Sequence, residues 1–340
     1  MKYLKYIFLL LGAIVWIAAS SPELASKMTA QDSYRYGDLY RLSNLSQFRD
    51  PLNRCSDYVT PAKSTSRKVH LYLIGDSFTE KERLGQKDFA VDAFTNVRWG
   101  EVLHIRPDTS ELNILLIESV ERHFREKFRP GPLTNIVTDS ATFVEKDFVQ
   151  PFMNKLDEAF SSKSFRARLD EILFQNDFAL AVKQMKADFN ASVFDRVNNE
   201  VTRINNGRNI VYYMDTDTDT TKLTSSFSEL SDQEVDSLVY HLNQTRQMAL
   251  KMGFDAVVLS IIPNKVSVLM PSYDTYNNLI SRIYTHPELN VPYIDVYHDF
   301  RKMGDKAYLK GDSHWTCEGQ YVWLNKTNQT IGKLTGQPSL

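Results

Sequence analysis

The sequence predicts an α/β fold: a doubly wound parallel sheet of about five strands with a helical insertion. Three observations predict it. Five short runs rich in Val, Ile, Leu and Tyr are nearly continuous rather than alternating, as in strands covered on both faces. A well-marked helix runs directly into one of these runs, which makes a βαβ unit. The 340 residues are 42% hydrophobic and 24% charged, ordinary values for a chain that buries a full core.

In chain order, residues 1–20 come first. Lys2 and Lys5 precede an apolar run over 6–19 that ends in Ala18, Ala19, Ser20 and Ser21. A basic start, a short apolar stretch and small residues have the form of a secretory signal, and residues 6–20 retained would make an N-terminal anchor. The run falls short of the roughly 20 apolar residues of a membrane span. No cysteine follows it, so a lipid anchor is not expected. The body is expected outside the cytosol, periplasmic or secreted, with membrane contact only through this segment. Residues 21–66 are polar with little periodicity and read as an extended leader that wraps the core. The main domain is expected over 67–340.

The strands are expected at 69–74, 113–118, 209–214, 256–262 and 293–296. Ser231, Asp232, Gln233 and Glu234 form a capping box. Val235, Leu238, Val239, Leu242 and Met248 follow near helical spacing, and Gly253 stops the helix just before the fourth strand. Residues 132–207 interrupt the alternation. They hold Phe148, Phe152, Leu156, Phe160, Phe165, Leu169 and Leu173 among many charges and read as a helical insertion. In a doubly wound sheet, ligands sit at the carboxyl ends of the strands. Ser77 lies there, and so would the residues after Glu118, Met214 and Ile262.

Two short segments carry chemistry: Gly75-Asp76-Ser77-Phe78-Thr79, directly after the first strand, and Gly311-Asp312-Ser313-His314-Trp315-Thr316 near the C-terminus. A nucleophilic serine needs a base for its proton, and the base needs a carboxylate to fix its tautomer. Ser77, His314 and Asp312 fill these roles in the order Ser, Asp, His. Either element has an ordinary reading alone, Ser77 as a turn residue that caps a helix. Asp312 and His314 could instead be half of a metal site, but the other histidines offer no matching pair, so no metal and no organic cofactor is expected.

These segments resemble the SGNH (GDSL-type) hydrolase superfamily, which pairs Gly-Asp-Ser after an early strand with a late Asp-x-His. The wording from Asp312 to Gly319, Asp-Ser-His-Trp-Thr-x-x-Gly, is similar to the polysaccharide O-acetyltransferase branch, including the alginate-acetylation proteins. Those proteins generally place Asp-x-His before the serine, whereas plant wall acetyltransferases share the order seen here. The resemblance covers about 69–130 and 208–335 and implies an SGNH or flavodoxin-like sheet. It implies acyl transfer through an acyl-serine, with Ser77 as nucleophile, His314 as general acid and base, and Asp312 as orienting carboxylate. The acyl group would be acetyl and the acceptor a polysaccharide hydroxyl, with a membrane acyl-donor protein as partner. An esterase acting on an acylated glycan or lipid, and a non-catalytic glycan-binding or assembly protein on the same scaffold, stay open beside it.

Further residues are candidates for oxyanion or substrate contacts. Asn96, Gly100 and Asn264 could donate to an oxyanion, with the Ser77 N–H, although Asn264 also fits a simple turn with Pro263. Arg122 could hold an anionic sugar or pair with Glu118 four residues earlier. Lys265 could bind a uronate, and Trp315 could stack on a sugar, pack under His314 or sit in the core. Asp215, Asp217 and Asp219 resemble the start of a calcium loop but lack its glycine and final glutamate, and read as a solvated loop. Cys55 and Cys317 are either a disulfide or two buried thiols. The net charge is −2, without a basic cluster, which argues against nucleic acid as a partner.

Overall fold

The structure, a computed structural model, describes residues 3–29, 36–50, 55–63, 65–138, 165–212 and 217–336. Its helices are α1 (Leu4–Ser20), α2 (Pro22–Met28), α3 (Asp38–Ser43), α4 (Glu121–Phe128), α5 (Phe165–Phe174), α6 (Asp177–Phe194), α7 (Asp232–Lys251), α8 (Lys265–Leu269), α9 (Leu279–Tyr284), α10 (Tyr297–Met303) and α11 (Cys317–Leu334). Its strands are β1 (Val69–Gly75), β2 (Ala93–Arg98), β3 (Leu103–Ile105), β4 (Leu112–Val120), β5 (Ile136–Thr138), β6 (Val201–Ile204), β7 (Asn209–Tyr212), β8 (Ala256–Ile262) and β9 (Tyr293–Ile294). The chain divides into two compact units, one of residues 1–52 and 143–198, the other of 53–142 and 199–340.

The second unit is an α/β domain on a five-stranded sheet in the order β2-β1-β4-β8-β9, every neighbouring pair parallel. Alternate side chains of one strand enter opposite apolar clusters. Tyr72 and Ile74 of β1, Leu115 and Ile117 of β4, and Val257, Leu259 and Ile261 of β8 join Phe124 and Phe128 of α4, Leu238 and Leu242 of α7, and Ile283 of α9. Leu71, Leu73, Leu116, Val258 and Ile262 face the other way, onto Phe300 of α10 and Trp323 and Leu324 of α11. The runs are continuous in sequence because both faces are covered, each fully buried aliphatic contributing about 1.5–3 kcal/mol. The sheet is doubly wound as predicted.

The helix after Ser231 forms as expected. Glu234 N–H donates to the Ser231 hydroxyl at 3.2 Å, and Gly253 follows the helix at φ 103°, a left-handed position that favours glycine. The third expected strand is different. Residues 209–212 pair antiparallel with β6 in a separate hairpin instead of entering the main sheet, so β8 follows β4 there. Asn205, Asn206 and Gly207 turn this hairpin with φ of 51°, 57° and 78°, a local connection that gives β7 a nearer partner. The edge strand β2, half-buried and polar, completes the sheet beside β1.

The leader and insertion also need correcting. The leader is not uniformly extended, because it contains α2 and α3, and up to residue 52 it clusters with 143–198. In that unit Ala18, Ala19 and Ala25 pack on Ile172 with Val15, Phe165 and Leu169, and Arg168 donates to the Ala19 carbonyl at 2.7 Å. Tyr40 donates to Gln184 at 3.0 Å and Ser46 N–H to Asp188 at 2.9 Å, which docks 38–48 on α6. The span 132–207 is helical only in part: its ends form β5 and β6, and Phe148, Phe152, Leu156 and Phe160 lie outside the described residues. No single described helix is long and apolar enough to cross a membrane; α1 and α2 meet that test only as a pair bent by 119°.

Residues 55–63 belong to the second unit and contain no helix or strand. Asp57 N–H donates to the Tyr321 hydroxyl at 3.0 Å, and Tyr58 donates to Asn325 at 3.1 Å. Cys55 and Cys317 form a disulfide with Cα atoms 5.2 Å apart, which ties this segment to the first residue of α11. The bridge spans 262 positions of sequence, so its loss frees a long loop in the unfolded chain. Cys55→Ser is expected to lower unfolding stability by on the order of 2–5 kcal/mol. A urea midpoint unchanged from wild type would count against that role.

Candidate active site

The candidate site forms where three parallel strands end. β1 is followed by Asp76 and Ser77, β4 by Glu121 and Arg122, and β8 by Pro263, Asn264 and Lys265. The turn after β1 is held from below. Asp76 accepts the Phe78 N–H at 3.0 Å and the Val120 N–H at 2.7 Å, which bonds the turn to the end of β4. Glu118 accepts the Asp76 N–H and the Thr79 hydroxyl, both at 2.9 Å. Gly75 cannot be replaced here: a Cβ would lie 1.9 Å from the Thr79 hydroxyl and 2.8 Å from the Glu118 carboxylate. Burial and the neighbouring Asp76 charge push the Glu118 carboxyl well above the usual carboxylate range.

The second half of the site is a turn in the chain before α11. Tyr308 and Trp315 pair as an antiparallel bridge, and Leu309 N–H donates to the His314 carbonyl at 3.1 Å. Thr316 N–H donates to the Ala307 carbonyl at 3.0 Å, and the Thr316 hydroxyl caps α11 by accepting the Gly319 N–H at 3.2 Å. Gly319 is required at that contact, because a Cβ would lie 2.6 Å from the Ala307 carbonyl oxygen.

Ser77, His314 and Asp312 meet as the sequence predicts. Ser77 Oγ lies 2.7 Å from His314 Nε2, and His314 Nδ1 lies 2.5 Å from Asp312 Oδ1. The same Asp312 oxygen accepts the His314 backbone N–H at 2.7 Å, so the acid fixes both the ring and the chain that carries it. Burial pushes the Asp312 carboxyl up, but the charge of His314, the two hydrogen bonds from His314 and the nearby Arg83 together bring it down to about 2. Phe78 packs on the imidazole with ring centroids 4.6 Å apart. In this arrangement the histidine can take the serine proton while the carboxylate steadies the imidazolium. The Ser77 N–H has no hydrogen-bond partner among the described residues and remains a candidate oxyanion donor.

The remaining candidates take other places. Asn96 is buried on β2 and donates to the Thr79 carbonyl at 2.5 Å, so its amide braces the turn. Gly100 is exposed in the turn after β2, at φ 92° with nothing within 4 Å of an added Cβ. Asn264 is fully buried: its N–H donates to Glu121 at 2.8 Å, its amide to Ser226 at 2.8 Å, and its oxygen accepts the Arg122 N–H at 3.2 Å. These bonds remove it as an oxyanion donor. Lys265 is fully buried as well and donates to the carbonyls of Leu309, Lys310 and Asp312, which removes it as a surface contact for a uronate.

Arg122 is 7% exposed, lies 4.0 Å from Asp217 and donates to the Ser313 hydroxyl at 3.3 Å. It therefore faces the His314 turn and does not pair with Glu118, whose carboxylate is held by the turn after β1. Asp217 is buried rather than solvated, and Asp215 lies outside the described residues. Trp315 is 2% exposed and packs on Phe78 and Trp323 with ring centroids 5.1 and 5.5 Å apart, so it lines the core instead of offering a sugar platform.

Several participants escaped the sequence reading. Phe78, Glu118 and Thr79 build the serine turn, and the signal for Glu118 was a carboxylate inside an otherwise apolar strand. Glu121 anchors the opposite side, accepting the Asn264 N–H at 2.8 Å and the Ser267 hydroxyl at 2.7 Å through one oxygen and the Tyr276 hydroxyl at 2.8 Å through the other. Burial raises its carboxyl to about 7, against those three hydrogen bonds. Compared with protein-family models, with curated proteins and with solved structures, the chain finds no match in any of the three.

Proposed function

We propose that this protein is a serine acyltransferase of the SGNH type that O-acetylates a polysaccharide outside the cytosol. One observation carries the reading: Ser77 Oγ, the His314 ring and the Asp312 carboxylate form a continuous hydrogen-bonded chain of 2.7 and 2.5 Å. His314 Nε2 takes the Ser77 proton as the hydroxyl attacks the donor's acyl carbon, and Asp312 stabilises the imidazolium. The Ser77 N–H faces the developing oxyanion. The imidazolium returns its proton to the leaving group, and an acyl-serine remains. A sugar hydroxyl, deprotonated by the same imidazole, then attacks the ester and releases Ser77.

The disulfide supports placement in an oxidising compartment, and the apolar run of α1 supports export. Outside the cytosol, a membrane acyl-donor protein would supply the acetyl group. An esterase differs from this reading only in the acceptor, water in place of a sugar.

The test incubates the full chain with p-nitrophenyl acetate and soluble alginate, and reads both products by mass spectrometry. The expected results are an acetyl group on the peptide that holds Ser77 and acetyl esters on the glycan. Acetylated Ser77 with free acetate and unmodified glycan would replace the transferase with an esterase. No acyl-serine, and p-nitrophenol release equal in wild type and Ser77→Ala, would overturn the serine mechanism in favour of a glycan-binding or assembly protein.

A further inference from the structure

We infer that Lys265 is a positioning residue that holds Asp312 and His314 in register with Ser77, an inference that rests on the serine reading above. The side chain is 0% exposed. An ammonium group is costly to bury unless its charge and all its donors are met. Here Nζ donates at 2.6 Å to the Leu309 carbonyl, at 2.8 Å to the Lys310 carbonyl and at 3.2 Å to the Asp312 carbonyl. Lysine has three N–H donors, and these three carbonyls belong to one short turn that ends at His314. The cation gathers the carbonyls of Leu309, Lys310 and Asp312 at one point.

The contacts around this turn fix what the clamp does. Lys265 opens α8 three residues after β8 ends, so its backbone is anchored close to the sheet edge. The Tyr308 hydroxyl bonds the Pro263 carbonyl, which joins the first residue of the bridge to the same corner. Arg122 reaches Ser313 from the end of β4. The turn is therefore held from the ends of β4 and β8, while Ser77 stands at the end of β1. The three functional groups come from two segments far apart in sequence, and their alignment depends on how firmly this turn is referenced to the sheet. Asp312 is the pivotal case, since its carbonyl binds Lys265 while its carboxylate binds His314. A methionine of similar volume would fill the space at less desolvation cost but without the donors that hold the turn.

The expected consequence of Lys265→Met is a fall of about 10²-fold in kcat for p-nitrophenyl acetate with KM nearly unchanged, as for a displacement of about 1 Å at the reacting atoms. Lys265→Gln, which keeps two donors, is expected to lose less. The second readout is the proton on His314 Nδ1, which in a bond to Asp312 of this kind gives a far-downfield NMR signal. It is expected in wild type and broadened or lost in Lys265→Met at a temperature where circular dichroism shows the variant folded.

This readout separates the two ideas. A wild-type protein without esterase or transferase activity overturns the serine reading, while loss of the downfield signal in the variant still supports the clamp. An active wild type with equal kcat and an unchanged downfield signal in Lys265→Met overturns the clamp. If neither variant folds, the wild-type lysine decides it. An ammonium held by three carbonyls exchanges slowly and gives an Nζ cross-peak near neutral pH, and rapid exchange at Lys265 overturns the proposal.

Discussion

Replacing Ser77 by alanine is expected to lower the turnover of p-nitrophenyl acetate by up to about 10⁶-fold, and His314→Ala by a similar factor. The two losses should not add. In the proposed mechanism the histidine takes the proton of the serine 2.7 Å away, so once either is gone the other has nothing to act on. The double variant should match the single ones within a few-fold. Residual activity above the uncatalysed rate would come from the oxyanion donor and from binding. Ser77 is only half-buried, so Ser77→Ala should unfold thermally close to wild type, whereas His314→Ala leaves the buried Asp312 carboxylate without its ring partner and should unfold at a lower temperature. A double variant markedly slower than either single one would show that the two side chains act separately.

Asp312→Asn should cost about 10⁴-fold in kcat with the fold intact. In wild type one carboxylate oxygen accepts both the ring N–H and the backbone N–H of His314. An amide removes the negative charge that steadies the imidazolium. If its NH₂ turns to the ring, it also forces the proton onto Nε2, where it blocks acceptance from Ser77.

The same carboxylate carries a pH signature. Its folded value of about 2 lies below the ordinary 3.8, so ionised Asp312 contributes stability above about pH 4, on the order of 2 kcal/mol, and that contribution is lost as pH falls toward 2. Urea unfolding of wild type and Asp312→Asn from pH 6 to pH 2 should show the wild-type advantage shrinking over this window. A difference that stays constant down to pH 2 would contradict it.

The sheet was legible where strands are covered on both faces, because such runs carry one unbroken apolar signal. It was not legible at β2, whose Thr95, Asn96 and Arg98 belong to a half-buried edge. It was misread at β7, where Asn206-Gly207 marked a hairpin before the strand. The three candidate catalytic residues were readable because each motif is local and its chemistry follows from residue type. Asn96, Asn264 and Lys265 were recognised as polar candidates, the last two at the end of a strand. Sequence does not reveal whether such a group opens to a cleft or is used in a buried hydrogen bond, and the structure assigns all three to support. Glu118 and Glu121 were missed as supports for the related reason that their partners come from distant segments.

The disulfide also sets an order of events at birth. Cys55 leaves the ribosome long before its partner, since 262 positions separate them. During synthesis or export it therefore travels as a lone thiol, and with no third cysteine in the chain it has no wrong intramolecular partner to find. The bond can close only once Cys317, the first residue of α11, has emerged. The segment just before that helix holds Asp312 and His314, so the bond closes beside the residues that would serve Ser77, and a chain halted before Asp312 lacks both of them.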